Sequence, residues 1–245
     1  ANQTEGFQIR GSAFNDTITG GFGVDNISAG AGDDIILGVS GLDTIDGGDG
    51  RDTVQISATS LALNALTDAQ LANVEVVSAA TAAAGVTIDL SKQSDGFTII
   101  GSNFGSKLTG SSGSDNIQGG NGNDVINGGP GNDTLTGGMG QDTFVFSSSI
   151  AGGGNVDTIT DFNSANDSIQ LSSSIFANLA RGVNGQLSAS AFAVDAATGA
   201  SAQVVYDSHT GALYYDANGA GVGGQTQFAT LQGAPSLTEK QIFLI

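Results

Sequence analysis

Residues 110–142, cut in nines, read GSSGSDNIQ, GGNGNDVIN, GGPGNDTLT and GGMGQD. An aspartate recurs at every ninth position, as Asp115, Asp124, Asp133 and Asp142. Two places after each stands a large apolar residue: Ile117, Ile126, Leu135 and Phe144. Six Gly-rich residues followed by a polar, apolar, polar triplet describe a turn and then a very short strand. Glycine in such a turn permits positive φ, or a close approach of main chain to a ligand. Only a regularly coiled backbone requires this spacing.

If two units complete one coil, residues eighteen apart stack on neighbouring parallel strands, about 4.8 Å from each other. Asp115 then lies over Asp133, and Asp124 over Asp142. Carboxylates at that distance repel, and a cation between them removes the repulsion. The ligands on offer are carboxylate and main-chain carbonyl oxygens, because the chain has no Cys and its one His, His209, lies outside the repeats. Hard oxygen donors in an irregular turn select calcium over zinc or copper, and suit it better than the strict octahedron of magnesium. Asp and Gly are also ordinary turn residues. Ordinary turns do not hold a nine-residue spacing through four consecutive units.

The same frame opens the chain as GSAFNDTIT, GGFGVDNIS, AGAGDDIIL, GVSGLDTID and GGDGRDTVQ, after a partial unit at Phe7 to Arg10. Its sixth place is Asp16, Asp25, Asp34, Asp43 and Asp52, and its eighth is Ile18, Ile27, Ile36, Ile45 and Val54. The eighth-place residues are expected to point into a narrow core, with Thr17, Asn26, Thr44 and Thr53 facing out. Phe14 replaces the fourth-place Gly of the first unit, which predicts a weaker site at Asp16. Asp33 and Asp49 add charge without an obvious partner.

From Ser57 the frame stops. Leu61 to Asn73 is Ala- and Leu-rich, readable as a short helix or a bulging loop, with Thr67-Asp68 as a candidate cap. Val74 to Val77, Val86 to Leu90 and Phe97 to Ile100 are apolar pieces that predict wider coils of a parallel β-helix joining the two repeat blocks. The unit GSNFGSKLT at 101–109 keeps Leu108 but carries Ser106 in place of Asp, so it is expected to keep the coil and lose the metal. Beyond Phe146, Asp157, Asp161 and Asp167 are read equally well as ligands of one more ion or as surface-loop residues. Ser174 to Leu179 is a candidate helical turn, and Val204 to Asp207 with Ala212 to Asp216 a hairpin turning at Gly211. Tyr206, Tyr214, Tyr215 and Phe228 are expected to cap the end of the coil and protect its last edge. The resulting division is 1–56, first repeat block; 57–100, insertion; 101–146, second repeat block; 147–245, cap and C-terminal region.

The chain has 245 residues, 24 acidic against 6 basic, a formal charge of −18, 39 glycines and 2 prolines. A compact state at that charge repels itself, and nucleic acid is excluded as a partner for so acidic a surface. Stability should therefore depend on bound cations. Without Cys there is no disulfide framework or thiolate site. No run of about 18 apolar residues predicts a membrane span, and no basic region followed by an apolar core opens the chain as a secretory signal would. A start at Ala1 without Met fits a processed product or an excised fragment.

The units GGNGNDVIN, GGPGNDTLT and GGMGQDTFV resemble the nonapeptide GGxGxDxUx of RTX proteins, the hemolysin-type calcium-binding repeats of bacterial exoproteins. VDTITDFNSANDSIQL and YDSHTGALYYDANGAG are similar to the region that follows such repeats. The resemblance implies an all-β fold, a parallel β-roll with calcium-binding GGxGxD turns and a mainly antiparallel C-terminal cap. It implies several calcium ions in rows along both turn-lined edges, held by Asp16, Asp25, Asp34, Asp43, Asp52, Asp115, Asp124, Asp133 and Asp142 with turn carbonyls. It also implies export from a Gram-negative bacterium to the exterior or cell surface by a type I (ABC transporter) machinery, read from a C-terminal signal to which Ile242 to Ile245 is similar. The long insertion and Ser106 depart from the pattern and interrupt the rows.

Catalytic motifs are missing from the sequence. There is no HExxH for a zinc protease and no GxSxG elbow for a lipase or esterase. His209 has no acid or nucleophile arranged around it by sequence. The leading expectation is a non-enzymatic calcium-binding folding and secretion module of a larger exported protein. The alternative is a calcium-dependent surface-layer or adhesin protein, whose partners would be copies of itself or cell-surface polysaccharide.

Overall fold

The computed structural model describes residues 5–221 and 223–245, so the first four residues of the 1–56 block lie outside it. The chain is wound into two walls of short strands. One wall is a continuous twelve-stranded sheet running from Thr17–Thr19 through Ile35–Leu37, Thr53–Gln55, Val76–Ser78, Thr98–Ile100, Asn116–Asn121, Thr134–Met139 and Asp157–Ile159 into the C-terminal strands. The facing wall is split. Four strands, Gln8–Arg10, Asn26–Ala31, Thr44–Asp49 and Leu71–Ala72, back the first repeats. Six strands, from Thr87–Asp89 through Lys107–Thr109, Val125–Asn127, Thr143–Phe146 and Ser168–Leu171 to Ile242–Leu244, back the second.

All strand pairs within the coils are parallel, and in the repeat blocks the register is eighteen residues. Ile18 lies opposite Ile36, Ile27 opposite Ile45, Ile117 opposite Leu135, and Ile126 opposite Phe144. Two units therefore make one coil, and each short strand contributes its eighth-place residue to the interior. All nine of those residues, and Leu108, are buried. This is the parallel β-roll that the spacing and the resemblance point to.

The three apolar pieces of the insertion form strands: Val76–Ser78 and Thr98–Ile100 carry the twelve-stranded wall through unbroken, and Thr87–Asp89 opens the six-stranded one. The Leu61 to Asn73 stretch is not a helix. It makes two single 3₁₀ turns, Leu63–Ala65 and Asp68–Gln70, and then enters the four-stranded sheet at Leu71–Ala72. Thr67 caps the second turn reciprocally with Gln70, but the following Leu71 is worth more buried against Ile45 than in another helical turn. Ser174 to Leu179 is likewise irregular rather than helical.

Among the strands of the C-terminal region, Gln203–Tyr206, Ala212–Asp216 and Gln225–Leu231 pair antiparallel, and isolated antiparallel bridges join Arg181 to Leu187 and Gln186 to Phe243. Phe146, Phe176, Tyr215 and Phe228 meet edge to face with centroids 4.9 to 5.5 Å apart, filling the end of the interior. The Tyr206 and Tyr215 hydroxyls donate to the Pro235 and Ala177 carbonyls, each at 2.5 Å, so both rings are buried with their polar ends satisfied. Tyr214 remains half-buried. The final strand, Ile242–Leu244, returns to parallel pairing against Ser168–Leu171, with Ile242 opposite Ile169.

Candidate metal centre

Every GGxGxD turn joins the two walls, and alternate turns fall on opposite edges of the roll. Asp16, Asp34, Asp52, Asp115 and Asp133 lead into strands of the twelve-stranded wall; Asp25, Asp43, Asp124 and Asp142 lead into the facing one. The nine aspartates are thus placed in two rows. Eight are buried, and Asp16, in the first unit, is half-buried.

The first carboxylate oxygen of each stacked residue has a defined task. It accepts the main-chain amide eighteen residues earlier. Asp16 donates to Asp34 Oδ1 at 2.7 Å, Asp25 to Asp43 and Asp34 to Asp52 at 2.8 Å, and Asp115 to Asp133 and Asp124 to Asp142 at 2.9 Å. Such charge-assisted bonds lock one coil onto the next. Because the acceptor is Oδ1 alone, the second oxygen is left for other partners.

The ladder extends past the repeats. Asp52 donates to Glu75 Oε2 at 2.8 Å, Asp133 to Asp157 Oδ1 at 3.2 Å, and Asp142 to Asp167 Oδ1 at 3.0 Å. Glu75 lies outside any repeat unit, and from sequence alone Asp157 and Asp167 fit a ligand or a surface-loop role equally well. The signal for the last two is the tail of the repeat, Asp-Thr-Ile at 157–159 and Asp-Ser-Ile at 167–169, which survives after the glycines have gone. Asp161 plays another part, its two oxygens accepting the Gly137 and Gly138 amides at 2.9 and 2.8 Å. A second, outer ladder runs through the fifth place. Asn15 accepts from Asp33, Asp33 from Arg51, and Asn123 from Gln141, each at 2.9 Å. Asp33 thus has a partner after all.

At Ser106 the coil is intact. Its amide donates to Asp124 Oδ1 at 2.6 Å, and its hydroxyl accepts the Ser102 amide at 3.2 Å, so the shorter side chain takes over the capping part of the missing carboxylate.

Electrostatically the rows are costly without a counter-ion. Burial raises the Asp124 carboxyl to about 6, with the stacked Asp142 raising it further and the Ser106 amide opposing. Burial likewise raises Asp43, Asp52, Asp115, Asp142 and Asp167 above the usual carboxylate range. In the Asp133–Asp157 pair burial again dominates; the Asp133 charge pushes Asp157 further up, whereas Asp133 is repelled by Asp115 and lowered by its hydrogen bond with Asp157.

The residues fit a hard divalent cation. Oδ2 of Asp34, Asp52, Asp124, Asp133 and Asp142 is buried with no hydrogen-bond partner among the described residues. Five orphaned carboxylate oxygens would cost several kcal/mol if nothing met them. Calcium takes such oxygens with carbonyls to complete its shell. In the turns of Asp124 and Asp52 the first-place glycine leaves the room: a Cβ built on Gly119 would lie 2.6 Å from Asp124 Oδ2, and one on Gly47 2.6 Å from Asp52 Oδ2, whereas Ala29 holds that place before Asp34.

Among the described residues, the only three ligating side chains within 4.8 Å of one another are Asp195, Asp207 and His209. Asp195 and Asp207 are spent on the Ser208, His209 and Thr210 amides of the hairpin turn, and His209 is 82% exposed. That is a solvated turn. The repeat rows bring no three carboxylates that close, so an ion held there would need main-chain carbonyls to complete its shell.

The family model of the RTX calcium-binding nonapeptide repeat, in its four-copy form, matches residues 8–36, 29–55 and 109–144. No curated protein matches the chain. The matched segments are the two turn-bearing blocks, and the matches leave out the insertion and everything after residue 144. Repeats of this kind are structural, not catalytic.

Proposed function

We propose that these RTX calcium-binding repeats serve this chain as a calcium-driven folding module, the C-terminal part of a larger protein exported from a Gram-negative cell by a type I (ABC transporter) machinery. The observation that carries the reading is the set of buried, unpartnered carboxylate oxygens in a chain of charge −18. Extracellular calcium modules bind at about 10⁻⁴ to 10⁻³ M, far above free cytosolic calcium. Inside the cell the carboxylates repel and the chain stays open for transport; outside, calcium closes the rows. Sixth-place aspartates supply the ligands, with turn carbonyls.

Ile242–Leu244, the tail that would be read by the exporter, is buried against Ser168–Leu171. A signal in that position is legible only before folding, which suits export of an open chain. The divisions at 56, 100 and 146 belong to the same reading, the insertion acting as a metal-free spacer between two calcium blocks. Circular dichroism in millimolar calcium and in excess chelator tests the folding half, with β signal expected only in calcium. A reporter fused upstream of the chain, with and without residues 239–245, tests export in a host carrying a type I exporter. Export that is equal for both fusions, or equal β signal in chelator, refutes the corresponding half.

A surface-layer or adhesin role is favoured by one observation. Phe22, Val24 and Leu42, at the turns of the first block, are large, apolar and more than half exposed. Calcium-dependent sheets or oligomers in micrographs support that reading, with further copies or cell-surface polysaccharide as partners, and a monomer in calcium rejects it.

A further inference from the structure

The nine aspartates share one place in the frame, yet their second oxygens meet two different surroundings. In Asp34, Asp52, Asp124, Asp133 and Asp142, Oδ2 has no partner among the described residues. In the other four it is capped by an amide of its own turn: Ser12 to Asp16 at 2.6 Å, Gly21 to Asp25 at 2.6 Å, Ser40 to Asp43 at 2.9 Å, and Ser111 to Asp115 at 2.7 Å. The main chain divides in the same way. Each orphaned oxygen belongs to a turn whose second-place glycine has positive φ: Gly30 at 118°, Gly48 at 100°, Gly120 at 112°, Gly129 at 100° and Gly138 at 97°. None of the four capped turns has a positive φ at that place.

The physical consequence is a difference in charge at one atom. In a capped turn an N–H, positive end outward, occupies the approach to Oδ2 and would repel a cation there. In an open turn the second-place residue is turned to other partners. Gly30 pairs with Gly48 and Gly120 with Gly138 in parallel register, and the Gly129 amide donates to Asn127 Oδ1 at 3.2 Å. The sequence determinant is visible. Ser12, Val39 and Ser111 hold the second place in three capped turns, where a side chain disfavours φ near +100°. Gly21 in the fourth has the freedom and does not use it, so glycine there is necessary without being sufficient.

We propose that calcium is held only at the open turns, those of Asp34, Asp52, Asp124, Asp133 and Asp142, while Asp16, Asp25, Asp43 and Asp115 act as main-chain caps that carry no ion. The proposal rests on the calcium reading above, and departs from a frame in which every sixth-place Asp is a ligand. It places the ions at two stacked pairs and one further turn. Asp34 and Asp52 are stacked neighbours on one edge, and Asp124 and Asp142 on the other, with Asp133 followed in its row by Asp157.

Equilibrium dialysis in saturating calcium counts bound ions for the unmutated chain and for D34N, D124N, D133N, D43N and D115N, with circular dichroism confirming that each is folded. The first three are expected to bind fewer ions than the unmutated chain, and D43N and D115N the same number. D43N or D115N losing as much calcium as D133N overturns the proposal, as does full retention by D124N and D133N. For any variant that does not fold, anomalous density in calcium-bound crystals of the unmutated protein decides. It is expected beside Asp34, Asp52, Asp124, Asp133 and Asp142; density beside Asp43 or Asp115 overturns the allotment. An unmutated chain that binds no calcium refutes the reading beneath it and this proposal together.

Discussion

Two glycine-to-alanine changes of the same chemistry should move stability in opposite directions. Gly119 opens a repeat turn, and a Cβ built there would lie 2.5 Å from the Gly137 carbonyl oxygen and 2.6 Å from Asp124 Oδ2. Its φ is not positive, so the whole effect comes from space. Overpacking of this kind costs about 1 to 3 kcal/mol. Displacing the carboxylate also strains the 2.6 Å bond from the Ser106 amide, a charged bond worth about 1.5 to 3 kcal/mol. Gly119→Ala should therefore lose about 3 kcal/mol and weaken calcium binding. Gly154 lies in the loop after the second block, with φ −100° and nothing within 4 Å of a built Cβ. Gly154→Ala only narrows the unfolded ensemble and should gain about 0.4 to 1 kcal/mol. Urea unfolding in saturating calcium, followed by circular dichroism, compares the two midpoints with the unmutated one. If Gly119→Ala is as stable as the parent, or binds calcium as well, the first glycine is not there to make room for the carboxylate.

Other outcomes follow from the same contacts. Phe144→Ala removes a fully buried ring that packs on Phe162 at a centroid distance of 6.1 Å, and should cost about 3 to 5 kcal/mol by the same unfolding measurement. Ser111→Gly frees the second place of a capped turn and is expected to raise the number of ions counted by dialysis; an unchanged count means the side chain is not what closes that turn. The calcium-free chain should become less folded as pH rises. A carboxyl raised in the fold, as Asp124 is from 3.8 to about 6, stabilises the fold below its unfolded value and loses that contribution as pH passes the folded one. Circular dichroism in chelator should thus show less β structure at pH 8 than at pH 5, whereas in calcium, which needs deprotonated ligands, the order reverses.

The nine-residue period was enough to derive the coil, the eighteen-residue register and the inward residues, because each is a local consequence of one turn and one short strand. What it did not reveal depends on contacts between coils. The amide-to-Oδ1 ladder and the fifth-place ladder through Asn15, Asp33 and Asn123 join residues whose adjacency exists only after winding. Glu75 enters the row from an insertion with no repeat of its own, so no spacing announces it. Ile242 to Ile245 reads as a hydrophobic tail similar to an export signal, and nothing in the sequence announces that Ile242–Leu244 pairs with Ser168–Leu171, far back in the chain. The helical reading of Leu61 to Asn73 failed for a related reason: Ala and Leu favour helix locally, but the open edge beside Thr44–Asp49 offers Leu71 more burial.

On the proposed reading, stacked carboxylates joined by calcium hold this fold, and thermal unfolding against free calcium tests that directly. A ligand bound only by the folded state adds RT ln(1 + [L]/Kd) to stability. The midpoint should climb steadily from micromolar to millimolar calcium and, in excess chelator, the cooperative transition should vanish. The same midpoint in chelator as in millimolar calcium would contradict the account.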